Sequence, residues 1–202
     1  MAATLFSDML HQGYSKRFKQ GEVEVRDWYR DKALQTVSKN IAGTDLINRP
    51  GARKNTVVVP TPGKAMMFVY DPKHKDTLPY YDTFPMIFPL ELYKDGFLGI
   101  NIHYRPPVFR ARLLDMLYDT INNDRYDKTT KLRVSYKILN AASRYKYFKP
   151  CIKRYLYGHV RSPLVEIAPT EWDYMMFLPL ARFQKANQRK VWDDSVKMIM
   201  GG

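Results

Sequence analysis

In the run GFLGINIHY, residues 96–104, apolar side chains recur at every second position: Leu98, Ile100, Ile102 and then Tyr104. That period places all four on one face of a strand predicted over residues 97–104. Gly96 marks a turn before it, and Gly99 a close approach or a bulge within it. Neighbouring stretches repeat the signal in shorter pieces. KAMMFVY (64–70) is predicted as a strand stopped by Asp71-Pro72. Met86-Ile87-Phe88 is bounded by Pro85 and Pro89, which cannot donate to a ladder and so mark an edge or bend. Far downstream, Leu164-Val165-Glu166-Ile167 supplies another strand, and Val57-Val58-Val59 a short one. Short strands separated by prolines predict a small antiparallel sheet or half-open barrel, closed by the distant strand.

Between these strands the period changes from two to that of a helix. Phe109, Leu113, Leu114, Leu117 and Ile121 form one stripe beginning just after Pro106-Pro107. Tyr136, Ile138, Leu139 and Ala142 predict a second helix. Cys151, Ile152, Tyr155 and Leu156 predict a third, with Pro150 near its first turn. Pro169-Thr170-Glu171-Trp172 reads as a helix start, with Thr170 or a neighbour as cap and Trp172, Met175, Met176 and Leu180 as the buried face. At the other end, Leu5, Phe6, Met9 and Leu10, then Val25, Trp28, Tyr29, Ala33 and Leu34, outline two helices separated by Gly21.

The predicted class is therefore α+β. Residues 1–40 form an N-terminal helical hairpin, 41–63 a linker, and 64–190 a single α+β domain with a helical insertion at 106–160. A C-terminal helix follows the last strand, and residues 191–202 form a loose tail.

Of 202 residues, 45% are hydrophobic, including 15 Tyr, 10 Phe and 3 Trp, which suffices for a folded core. The formal net charge of +13 points to a partner that is nucleic acid, an acidic protein surface or an anionic membrane. No apolar run approaches the roughly 18 residues of a membrane span, so no membrane partner is expected. Met1 to Leu10 lacks a secretory pattern, and the single cysteine, Cys151, excludes an intramolecular disulfide and a cysteine-based zinc site. A protein made and used in a cytoplasm is expected.

The charge is unevenly spread. Residues 106–160 hold 12 basic and 4 acidic side chains, a net +8, whereas residues 56–105 hold 5 of each. Within the insertion Lys131, Arg133, Lys137, Arg144, Lys146, Lys149, Lys153 and Arg154 interleave with aromatic residues, among them Tyr145 and Tyr147. Cations neutralise phosphates with release of counterions, and aromatic faces stack on exposed bases. These ten residues are the candidate nucleic-acid contacts. The same pattern also suits helices whose aromatics are core and whose charges are a solvated face.

Catalytic patterns are missing. His11, His74, His103 and His159 show no metal-ligand spacing, and Gly96 to Gly99 lacks the helix and Lys-Ser/Thr of a phosphate loop. Asp71, Asp76, Asp82, Glu91 and Asp95 could converge on magnesium, but Asp71-Pro72 and Asp95-Gly96 are turn pairs. Cys151 and His159, eight residues apart on one predicted helix, would not meet. A non-catalytic protein without a cofactor or metal is expected.

The runs GKAMMFVYDPKHKDTLPYYDTFPMIFPLE (63–91) and DGFLGINIHYRPP (95–107) resemble small virion-associated proteins of T-even-type contractile-tailed bacteriophages. YDKTTKLRVSYKIL (126–139), ASRYKYFKPCIKRYLYGHV (142–160) and EIAPTEWDYMMFLPLARFQKA (166–186) extend that likeness, specifically toward the DNA end protector proteins of these phages. The resemblance implies a virion protein, assembled in the host cytoplasm, that sits on the packaged DNA terminus and shields it from host exonuclease. Its partners would be the DNA phosphate backbone and other virion proteins in a multi-subunit assembly. The runs suit a structural subunit of the neck, tail or baseplate, with protein partners only, equally well. A metal-dependent nuclease is a third reading.

Overall fold

A computed structural model describes residues 5–8, 11, 56–57, 59–169, 172–177 and 181–201. The strands are β1 (Thr56–Val57), β2 (Ala65–Met67), β3 (Tyr81–Asp82), β4 (Met86–Tyr93), β5 (Gly96–Asn101), β6 (Ile152–Leu156), β7 (Leu164–Ile167) and β8 (Phe183–Gln184). The helices are α1 (Pro107–Ile121), α2 (Lys128–Arg144), α3 (Trp172–Phe177) and α4 (Gln188–Met200). Six strands form one open antiparallel sheet in the order β1-β7-β2-β4-β5-β6, and β3 pairs with β8 in a separate ribbon. The fold is α+β.

Alternation along each strand sorts the core into two clusters. Ala65, Met67, Met86, Phe88, Ile100, Val165 and Ile167 face α1, α2 and α3, against Leu113, Leu114, Leu117, Leu139, Trp172, Met175 and Met176. Met66, Ile87, Phe97, Tyr155 and Leu164 point the other way and join Phe68 and Tyr70 in a smaller cluster. Burial on both faces explains why β4 and β5 are rich in apolar residues at consecutive positions.

The expected face of Leu98, Ile100, Ile102 and Tyr104 does meet the main cluster, but the strand is shorter than its alternation suggests. Asn101 accepts from the His103 backbone N–H at 3.0 Å and starts a 3-10 turn over Ile102–Tyr104. Gly96 sits where a Cβ would lie 2.0 Å from the Tyr155 carbonyl oxygen, so the β5–β6 approach demands glycine there. The strand expected at 86–88 continues through Pro89 to Tyr93, and the register shifts between Pro89 and Glu91. A bulge thus absorbs the missing donor.

Two expectations are corrected. Residues 151–156 are no third helix: Lys146–Cys151 is a 3-10 segment, and Ile152–Leu156 is β6, paired with β5 from Gly96↔Leu156 to Ile100↔Ile152. Nor is the chain loose after residue 190. Asn187 caps α4 by accepting from the Lys190 N–H at 2.9 Å, and Val191, Ser195 and Ile199 are buried at a four-residue spacing. The helical insertion accordingly ends at residue 151 rather than 160.

Most of the expected N-terminal hairpin and linker lies outside the described residues. Of it, residues 5–8 are helical, and Phe6 is buried edge-on against Tyr118. The Asp115 carboxylate on α1 accepts from the Phe6 N–H at 2.8 Å and the Ser7 N–H at 3.1 Å. The expected cap Thr170 and the expected buried Leu180 also lie outside the described residues.

Candidate nucleic-acid interface

The structure divides the ten candidate contacts among three places. Arg133, Lys137 and Arg144 lie four and seven residues apart on α2, spacings that return a helix to the same face. All three are exposed, opposite the buried Ser135, Leu139 and Ala142. The helix begins where Asp127 accepts from the Thr130 N–H at 2.6 Å. Lys131 is not on this ridge. It turns to the flank, where it lines a cavity of about 400 Å³ with Lys64, Lys128 and Glu166. There Lys64 already pairs with Glu166 at 2.8 Å.

Arg144 leads directly into Tyr145, whose extended backbone ends α2 and opens the 3-10 segment Lys146–Cys151. Tyr145 is 63% and Tyr147 48% exposed, unusually open for aromatic rings, and Lys146 and Lys149 are exposed beside them. Tyr147 stacks on Phe109, with centroids 6.1 Å apart and 22° between planes. The Arg105 guanidinium carbon lies 3.8 Å from the centroid of that Phe109 ring. Tyr145 therefore presents the freer face. None of Arg133, Lys137, Arg144, Lys146 and Lys149 forms an ion pair with a described carboxylate.

The remaining two candidates, Lys153 and Arg154, belong to β6 and leave the edge of the sheet on opposite faces. Arg154 lies 4.0 Å from the Tyr93 ring centroid and pairs with Asp95, so its charge already has a partner. Lys153 is half-buried, its Nζ 4.1 Å from the Tyr104 ring centroid. Burial pulls its pKa below the ordinary lysine value. It borders a cleft of about 450 Å³ between β6 and the loop over residues 72–81, with Lys73, His74, Tyr80 and Tyr81 in the wall.

That wall is held from behind by a buried network. The Asp82 carboxylate accepts from the backbone N–H groups of Phe84 (3.0 Å) and Arg182 (3.1 Å). It also accepts from Asn101 Nδ2 (3.1 Å) and His103 Nδ1 (2.7 Å). Burial alone would raise its pKa, but His103 and these donors outweigh that and hold it below the usual carboxylate value. Burial pushes His103 the other way from a free imidazolium, below its usual value. An ionised carboxylate receiving Nδ1–H from a neutral imidazole satisfies both directions, and His103 Nε2 has no partner among the described residues. The Lys185 ammonium donates to the carbonyls of Lys75 (2.6 Å), Asp76 (2.9 Å) and Leu78 (3.1 Å), which braces the loop from the β8 side.

The other carboxylates weighed as magnesium ligands are dispersed. Asp71 pairs with Lys75, Asp95 with Arg154, and Glu91 accepts from the Tyr93 hydroxyl. Among the described residues no three His, Cys, Asp or Glu side chains are placed to share a metal ion. Cys151 is buried, and its thiol is pushed up to about 12 by burial, which leaves it protonated and unreactive. Sequence reasoning missed the cleft residues Lys73, His74 and Tyr104. Their signal was the basic run Lys73-His74-Lys75 seven residues before paired tyrosines, but only folding sets that loop against β6.

No helix among the described residues is long and apolar enough to cross a membrane. Residues 22–195 match the family model described as the phage T4 terminal DNA protecting protein. No curated protein and no solved structure matches.

Proposed function

The chain belongs to this family of phage terminal DNA protecting proteins, and from that membership we propose that it binds DNA and covers its end. It acts by occupancy, not by turnover of a substrate. The carrying observation is the set of exposed cations and tyrosines on the outer ridge of α2 and on the 3-10 segment that follows it. There Arg133, Lys137, Arg144, Lys146 and Lys149 are exposed without an ion pair to a described carboxylate, and Tyr145 stands open. Unpaired surface cations contact phosphates without reading sequence. An exposed tyrosine supplies a face on which a terminal base can stack. In this reading the protein works in the virion, beside other virion proteins, on the packaged terminus.

The test is binding to a labelled linear duplex across a salt series, with unlabelled linear and closed circular DNA as competitors. An exonuclease challenge of the linear complex runs in parallel. Steep salt dependence, preference for linear competitor and slowed digestion are expected. Replacing Arg133, Lys137 and Arg144 together by Ala is expected to weaken binding to every sequence alike and to leave the thermal transition intact. Tight binding of the triple variant would remove the ridge from the interface. No binding at low salt would turn the function to protein contact within the neck, tail or baseplate.

A further inference from the structure

The cleft beside β6 differs in kind from the open ridge on α2. It is concave, and at about 450 Å³ it lies in the size range of small-ligand sites. Duplex DNA cannot enter such a space, whereas one unpaired nucleotide can. Its wall offers the half-buried rings of Tyr80 and Tyr81, and Lys73 and His74 stand exposed at the rim. Lys153 reaches the same space with a desolvated ammonium whose described neighbour is the Tyr104 ring, not a carboxylate. The one buried acid in the lining, Asp82, has its carboxylate oxygens held by four donors. The chain also connects the two surfaces, because Lys149 lies four residues before Lys153 and the 3-10 segment runs straight into β6.

We propose that this cleft receives the unpaired terminal nucleotide of the DNA, its phosphate on Lys153 and its base against Tyr80 and Tyr81. The inference rests on the reading of DNA-end binding above and names how an end is told from the middle of a duplex. A terminal nucleotide is tethered on one side only and can enter a recess. An internal one would have to carry its strand in and out again.

The experiment uses the full chain and a duplex with a short single-stranded overhang, carrying 2-aminopurine at the terminal position or within the duplex. Binding is expected to quench the terminal probe and leave the internal one unchanged. Tyr80→Ala and Lys153→Met are each expected to abolish that quenching. Tyr80→Ala should weaken overhang DNA by roughly tenfold while affinity for closed circular DNA stays as in the wild type. Thermal melts check that each variant folds. Wild-type binding with no change at the terminal probe would overturn the cleft and leave end binding by the ridge standing. If no DNA binds at all, end binding fails separately, and titration with deoxyadenosine monophosphate decides the cleft. Shifts in Tyr80, Tyr81 and Lys153 resonances would then sustain a nucleotide site, and their absence would overturn it.

Discussion

His103 and Asp82 show how a side chain can look catalytic and serve the fold instead. Both are buried, Asp82 receives four donors, and the pair ties the β3–β8 ribbon to the turn after β5. Their linkage to pH has a definite sign. His103 titrates below the ordinary imidazole value of 6.5 in the fold, so below about that pH the unfolded chain binds a proton that the native one does not. Stability is therefore expected to fall as pH drops from 6.5 toward the folded value, by up to about 1.4 kcal/mol per pH unit. Asp82, depressed below 3.8, adds its loss only in stronger acid. His103→Asn keeps a donor near the Nδ1 position and removes the titration. Urea midpoints at pH 7.5 and 5.5 should fall less in the variant than in the wild type. Equal declines would assign the slope to another group. Arg105 is a second residue whose place in the core was hidden from sequence. It is 2% exposed, and its Nε and Nη1 have no hydrogen-bond partner among the described residues. Replacing a buried charge whose described neighbour is the Phe109 ring, not a carboxylate, by an apolar chain of similar length relieves a desolvation cost. Arg105→Met is expected to match or exceed wild-type stability in urea, and a loss above about 1 kcal/mol would contradict this.

At the scale of elements, the C-terminal helix α4 carried local signals that were misread as a loose tail, and β6 carried none that decided between helix and strand. The cap Asn187, the buried positions Val191, Ser195 and Ile199, and Gly201 after the last turn are all local signals. They were obscured by the short apolar content of α4, in which Ser195 occupies a core position. Asn187→Ala is expected to cost about 1 kcal/mol in thermal or urea unfolding. A neutral result would mean that packing alone starts α4. Trp192 adds a bond from Nε1 to the His103 carbonyl at 2.9 Å, so this helix also supports the turn that carries His103. β6 is different. Cys151, Ile152, Tyr155 and Leu156 fit helical spacing, while Ile152, Arg154 and Leu156 alternate with Lys153 and Tyr155. Both periods are present in six residues, and pairing with β5 selects the strand. The misreading mattered for function, because a helix would have set Lys149, Lys153 and Arg154 on one surface. The strand sends Lys153 into the cleft and Arg154 to Asp95.

For the whole molecule, the charge of +13 is less concentrated at the surface than the sequence suggests. Arg110 is buried and donates to the backbone carbonyls of Arg105, His103 and Met175. Arg154 and Lys64 are paired, and Lys131 lies on a flank. Among the described residues, the α2 ridge and the 3-10 segment keep Arg133, Lys137, Arg144, Lys146 and Lys149 exposed without an ion pair to a described carboxylate. Their share of the binding can be read from its salt dependence. Each phosphate contact removed should lower the slope of log K against log salt by about 0.9. The triple ridge variant should therefore lose between two and three in slope if all three residues make contact. A change near zero would assign the ridge to solvent.

The sequence by itself determined the α+β class, the helices α1 and α2, the irregularity at Pro89, the basic bias of the insertion and its likeness to DNA end protectors. Each is carried by local composition or by a period that one element expresses alone. Tertiary structure alone decided that residues 152–156 are a strand, that Asp82 meets His103, and that Lys153 faces tyrosines from a loop about seventy residues earlier. These depend on which strand pairs with which and on which loop closes over an edge. Such contacts draw their free energy from residues far apart in the chain, and no local window contains both partners.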